Sequence, residues 1–235
     1  MLAAKKALLL DMNSTFMFGE DRFSDSDDYS IYYEQINGRL PATDVNNIIM
    51  SAYHYLEARY PDEQYRHNFP SVETAILETF GNTLPPDETI KILDTFAFHE
   101  LGSIPENYVN ILFNLKNYFT LAVVIDIWSD KKAWLDTFKQ NGIDALFSAA
   151  SFSSDHGIVK PSPEPFELVV KQLKFKKEQC LVIGDSVRRD LGGATAAGID
   201  CVLVGGAHDN QALACYTNLI EFSEKLHHNY FNIQT

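Results

Sequence analysis

The chain has 235 residues, 46% of them hydrophobic, and a formal net charge of −13 at pH 7; that is enough apolar material for one large domain, or for a core with an insertion. The charge excludes polyanionic partners, because phosphate backbones and anionic lipid surfaces are held through clustered Lys and Arg. No stretch approaches the roughly 20 apolar residues that span a bilayer, and the start "MLAAKKALLLD" has too short an apolar run and no small-residue cleavage site for a signal peptide. The expectation is a soluble, cytoplasmic protein that binds neither nucleic acid nor membrane.

In chain order, "ALLL" reads as a buried strand that stops at Asp11. Residues 17–105 then carry helical spacing with no convincing strand. "TDVNNIIMSAYHYLEARY" has Thr43 or Asp44 as N-cap, and "SVETAILETFG" and "PDETIKILDTFAFHEL" follow. From there strands alternate with helices: "LAVVIDI" (121–127), "KKAWLDTFKQNG", "SPEPFELVVKQLKF", "CLVIGD" (180–185), "RRDLGGATAAG" and "CVLVGG" (201–206). This alternation predicts an α/β fold, a Rossmann-like doubly wound parallel sheet built from residues 1–16 and 106–235, with 17–105 as an inserted helical cap.

In such sheets ligands bind beyond the carboxyl ends of the strands. Asp11, Asp126 and Asp185 end three of the four strands, and Asp190 lies a helical turn past Asp185. Carboxylates gathered in one crevice repel one another unless cations neutralise them, which points to Mg²⁺ and a lysine. Lys160, in a loop just before Pro161 in "GIVKPSPEPF", is the candidate. The three cysteines, Cys180, Cys201 and Cys215, have no metal-ligand spacing and read as reduced core thiols. The adjacent His227 and His228 read as a solvated tail, and the aromatic runs "YSIYYEQ" and "YHYLEARY" as cap core.

The ordered set "LLLDMNST", "GIVKPSPEPF" and "LVIGDSVRRDLGGATAAGI" resembles the motifs of the haloacid dehalogenase-like hydrolase superfamily over nearly the whole chain. The resemblance implies a phosphatase-like mechanism on a small phosphorylated substrate. Asp11 is then the nucleophile that forms an aspartyl-phosphate. Asp11, the carbonyl of Asn13 and Asp185 hold Mg²⁺, and Asp190 orients water there. Lys160 holds nucleophile and phosphate together, and Thr15 contacts the phosphate.

Two motifs depart from the pattern. Where the family's phosphatases carry an acid two residues after the nucleophile, this chain has Asn13, which neither protonates a leaving group nor activates water. Positioned acid–base catalysis supplies about 10²–10⁴-fold, so Asn13 selects for good leaving groups or marks a slow enzyme. In the second motif Ile125 stands where Ser or Thr binds a phosphate oxygen and Asp126 where Asn is common, leaving Ser129 in the following loop as the replacement donor. Ser14 also replaces a frequent Gly. Two alternatives follow: a catalytically weak binding or regulatory protein, and a hydrolytic dehalogenase, which needs no Mg²⁺ and carries Tyr in place of Asn13.

Overall fold

The structure, a computed structural model, describes residues 2–81 and 84–226; His227 and His228 lie outside them. Six strands, β1 (Ala7–Leu10), β2 (Thr120–Ile125), β3 (Phe147–Phe152), β4 (Cys180–Gly184), β5 (Asp200–Leu203) and β6 (Ala214–Cys215), form one sheet in the order β3-β2-β1-β4-β5-β6. All five pairings are parallel. The chain winds from β1 outward through β2 to β3, then returns to β4 and winds the other way. The switch point, and the crevice it opens, therefore lies between β1 and β4.

Every residue of β1 is fully buried, as a central strand covered on both faces requires. Leu8 and Leu10 face a cluster with Leu112 of α5 (Glu106–Lys116), Trp134 of α6 (Lys132–Gln140) and Phe222 of α10 (Leu219–Leu226). Ala7 and Leu9 face Phe166 and Val169 of α8 (Glu164–Leu173) and Ala194 of α9 (Gly192–Ala197). A short α7 (Ser153–His156) follows β3. Two expectations change here. β2 stops at Ile125, so Asp126 lies in the loop beyond it, and β3 and β6 join the sheet although neither carries a continuous apolar run.

Between β1 and α5 lie α1 (Ser30–Gln35), α2 (Ala42–Arg59), α3 (Val72–Phe80) and α4 (Pro86–Glu100). They bury an apolar cluster of their own that includes Tyr29, Ile48, Ile49, Ile76 and Phe96. Ser71 caps α3 by accepting from Thr74 N, and Gly81 ends it at φ +67°. The N-cap of α2 is Pro41 rather than Thr43 or Asp44: the Pro41 carbonyl accepts from Asp44 N and Val45 N. Asp44 instead sits in the first turn, where its charge suits the helix dipole. No helix among the described residues is long and apolar enough to cross a membrane.

The helical segment is tied to the sheet domain by hydrogen bonds around the crevice. Phe69 N donates to Gly157 O at 2.7 Å, Val159 N to Arg66 O at 3.0 Å, and the Arg188 guanidinium to Pro61 O at 2.9 Å. Val159 and Trp128 from the sheet domain pack into the helical cluster.

Candidate active site

The turn after β1 is compact. Met12 O accepts from Thr15 N, Phe16 N and Met17 N, and Ser14 N donates to Met17 O. It forces Ser14 into the left-handed region at φ 55°, the conformation glycine adopts without cost. The turn leaves Asp11 at the strand end, 6% exposed, with its N–H donating to Ile183 O of β4.

Lys160, 2% exposed, reaches Asp11 from the loop before α8. Its Nζ donates to Asp11 Oδ1 at 2.5 Å, Asp190 Oδ1 at 2.8 Å and the Val124 carbonyl at 3.3 Å. Asp190 is delivered by a π-helical turn, Val187–Leu191, in which Ser186 O accepts from both Asp190 N and Leu191 N. Single π turns of this kind recur at functional sites. The second Asp190 oxygen accepts from Ser186 N at 3.0 Å. A Cβ on Gly184 would lie 2.3 Å from the Asp190 carboxyl carbon, so β4 has to end in glycine for Asp190 to fold back over it.

Oxygen atoms of Asp11, Asp185 and Asp190 all lie within 4.8 Å of one another. One lysine cannot satisfy three carboxylates. Burial pushes Asp11 up to about 7 against the opposing pull of Lys160, and burial followed by the Asp190 charge raises Asp185 as well. Burial works against the Lys160 ammonium, yet Asp11, Asp190 and Asp126 hold its pKa above the ordinary lysine value. Asp185 Oδ1 and Asn13 Oδ1 are buried without a hydrogen-bond partner among the described residues. Buried polar atoms left so are uncommon. An oxygen-rich, over-negative cluster with orphaned acceptors fits a hard divalent cation such as Mg²⁺.

Asp11, Asn13, Lys160 and Asp126 line a polar cavity of about 50 Å³, together with Asp21, Tyr60, Glu100, Trp128 and Arg189. Two residues that the sequence offers to a phosphate are placed elsewhere. Thr15 is 1% exposed and points its hydroxyl at Asp11 Oδ2, 3.4 Å away, so it faces the nucleophile rather than the cavity. Ser129 lines a separate cleft of about 470 Å³ beside α4 and α6, and its backbone N–H donates to Glu100 Oε2 at 2.9 Å. Ile125 is 2% exposed within the sheet-face core and offers no donor. Asp126 is already committed: its Oδ2 accepts from the Tyr60 hydroxyl at 2.8 Å and from Lys160 N at 2.9 Å.

Glu100, Asp21, Tyr60, Trp128 and Arg189 are the cavity residues that the sequence does not single out. Glu100 is 4% exposed, and its two oxygens accept from Trp128 N at 2.5 Å and Ser129 N at 2.9 Å. Burial lifts it to about 7, with the Ser129 and Trp128 hydrogen bonds pulling the other way. Burial and then Glu20 raise Asp21 to about 6.

A strand-end carboxylate, a lysine and two further acids at the switch point of a parallel sheet define a hydrolase site of a particular family. The chain belongs to the haloacid dehalogenase-like hydrolases, whose family model matches residues 5–198. Pyrophosphatase PpaX of Halalkalibacterium halodurans is 27% identical over 171 residues, which cover 69% of this chain and 78% of the relative. Among solved structures, the HAD phosphatase of Thermococcus onnurineus superposes with a TM-score of 0.61 at 20% identity, covering 94% of this chain and 97% of that one. The putative hydrolase YfnB of Bacillus subtilis, solved with magnesium, gives a TM-score of 0.57 at 19% identity over 94% and 98% of the two chains. These two structures share the fold.

Proposed function

We propose that the chain is a Mg²⁺-dependent phosphohydrolase that works on a small phosphorylated metabolite through an aspartyl-phosphate on Asp11. The observation that carries this reading is the Asp11 carboxylate, held at 2.5 Å by Lys160 within a cluster whose third and fourth members are Asp185 and Asp190. Asp11, Asp185 and Asn13 would hold the cation, with Asp190 beside them. Its charge would offset repulsion between the nucleophile and an incoming phosphate.

An Asp11 oxygen attacks phosphorus, a P–O bond to Asp11 forms, and the bond to the leaving oxygen breaks with its electron pair. Water then attacks the same phosphorus and releases phosphate, returning Asp11 to a carboxylate. Lys160 stays charged throughout and neutralises the Asp11 side of the centre; Thr15 orients the carboxylate. Asn13 carries no proton to give, so the leaving group departs unassisted at that position. Anhydrides and acyl or aryl phosphates meet this condition, and the similarity to a pyrophosphatase is consistent with an anhydride substrate. The helical segment 17–105 acts as a cap, bringing Tyr60, Glu100 and Asp21 over the nucleophile.

A dehalogenase reading leaves the three-acid cluster without a purpose. A non-catalytic reading rests on Asn13 and Ile125 but leaves Lys160 clamped on a buried nucleophile for no reaction. A panel of acyl, aryl and alkyl phosphates and pyrophosphate, assayed with Mg²⁺ and with a chelator, tests the proposal. Turnover should be confined to the Mg²⁺ samples and be lost by at least about 10³-fold in Asp11→Asn. Hydrolysis that survives the chelator or the substitution would refute it.

A further inference from the structure

We infer that Arg189 is the side chain that grips the substrate's phosphoryl group, replacing the donor that Ile125 does not provide at the end of β2; this rests on the phosphohydrolase reading. Among the described residues, two cations line the cavity. An ammonium has three N–H donors, and all three of Lys160's are engaged, by Asp11, Asp190 and the Val124 carbonyl. The lysine can keep its charge near a phosphate but has no donor to spare while this set persists. Arg189 is the opposite case. Among the described residues its guanidinium makes no hydrogen bond: the nearest carboxylate oxygen, Asp185 Oδ1, is 3.8 Å away, and the Tyr60 ring centroid is 5.8 Å away.

The placement of Arg189 follows from the π turn. Asp190 lies five positions after Asp185, and the wide turn lets Asp190 fold back on Gly184 while Arg189, one position earlier, enters the cavity. Its neighbour Arg188 is spent on a different task, donating to Pro61 O across to the helical segment. A planar guanidinium with several donors matches the oxygens of a phosphoryl group better than any other side chain. The remaining ionisable groups that line the cavity, Asp11, Asp21, Glu100, Asp126 and Tyr60, either carry negative charge or are neutral. A dianionic ligand entering that cavity meets one cation with donors to offer.

The test is titration of inorganic phosphate into the protein by calorimetry at saturating Mg²⁺, for the native chain, Arg189→Gln and Arg189→Lys, each checked for an unchanged melting transition. Arg189→Gln should weaken phosphate about 10- to 100-fold, the usual cost of losing charge-assisted hydrogen bonds. Arg189→Lys should recover only part of the loss, since charge returns without the planar fork. KM should rise by a similar factor. Mg²⁺ affinity is measured in parallel, because an arginine that merely neutralised Asp185 would, when removed, tighten Mg²⁺ and leave phosphate unaffected. That pattern, or equal phosphate binding in all three proteins, overturns the assignment while leaving the phosphohydrolase reading intact. A native chain that binds no phosphate in the presence of Mg²⁺ overturns both.

Discussion

Asn13 occupies the position from which the family's phosphatases deliver a proton, and its Oδ1 is buried with no partner among the described residues. An aspartate there would sit beside Asp11 in a crowded acidic cavity, so burial and like charge would keep it protonated and ready to donate. Asn13→Asp should therefore accelerate hydrolysis of alkyl phosphates by about tenfold or more and leave aryl and acyl phosphates nearly unchanged. A leaving-group series on both proteins measures this; a flat response would mean that the proton comes from another group, with Glu100 the first to examine. The full 10²–10⁴-fold of general acid catalysis is not expected, because the site also departs from the family pattern at Ile125 and effects within one site need not add. Asp11, Asp185 and Lys160 were legible in the sequence because a charge that ends an apolar run, or precedes a proline between strand and helix, has few structural reasons to be there. Arg189 and Glu100 were not, because a charged residue on a helical stretch reads as solvated surface. For Arg189 a signal did exist: the spacing from Asp185 to Asp190 exceeds one α-helical turn.

At the level of elements, the strands found by inspection are the central ones, whose two buried faces make continuous apolar runs. β3, "FSAASF", mixes small and polar residues at one edge of the sheet, and β6 is only Ala214–Cys215 at the other, so neither leaves a hydrophobic signature. α4 matters most for the site, because it ends on Glu100, which is bonded to the loop after β2. With its carboxyl raised from an unfolded value near 4.5 to about 7, the folded protein holds a proton that the unfolded chain has released between those pH values. Glu100's contribution to stability should thus fall as pH rises through that window, by about 3 kcal/mol, beside the separate contributions of Asp11 and Asp21. Glu100→Gln, which mimics the protonated carboxyl, should remove this part of the slope. Urea unfolding of both proteins at pH 4.5 and pH 7.5 checks it, and parallel pH profiles would show that Glu100 does not titrate in this range.

For the whole molecule, the crevice at the switch point is roofed by a helical segment that is bonded to the sheet domain at Phe69, Arg66 and Pro61 and through Tyr60 to Asp126. A cavity of about 50 Å³ leaves little room for more than the reacting group, so larger substrates require the roof to lift, as caps and lids commonly do. A roofed site excludes water until it is needed, and under the proposed mechanism the water that would complete the cycle has no base at Asn13 to activate it. Dephosphorylation should then be slow relative to phosphorylation for a substrate with a good leaving group, and the covalent intermediate should accumulate. The most direct measurement is an acid quench during turnover of an acyl phosphate radiolabelled in the phosphoryl group, with Mg²⁺ present, followed by peptide mapping. The label should be found on the peptide containing Asp11, be released by hydroxylamine and be absent from Asp11→Asn. Sustained turnover with no label on that peptide, or with label on another residue, would contradict nucleophilic catalysis by Asp11.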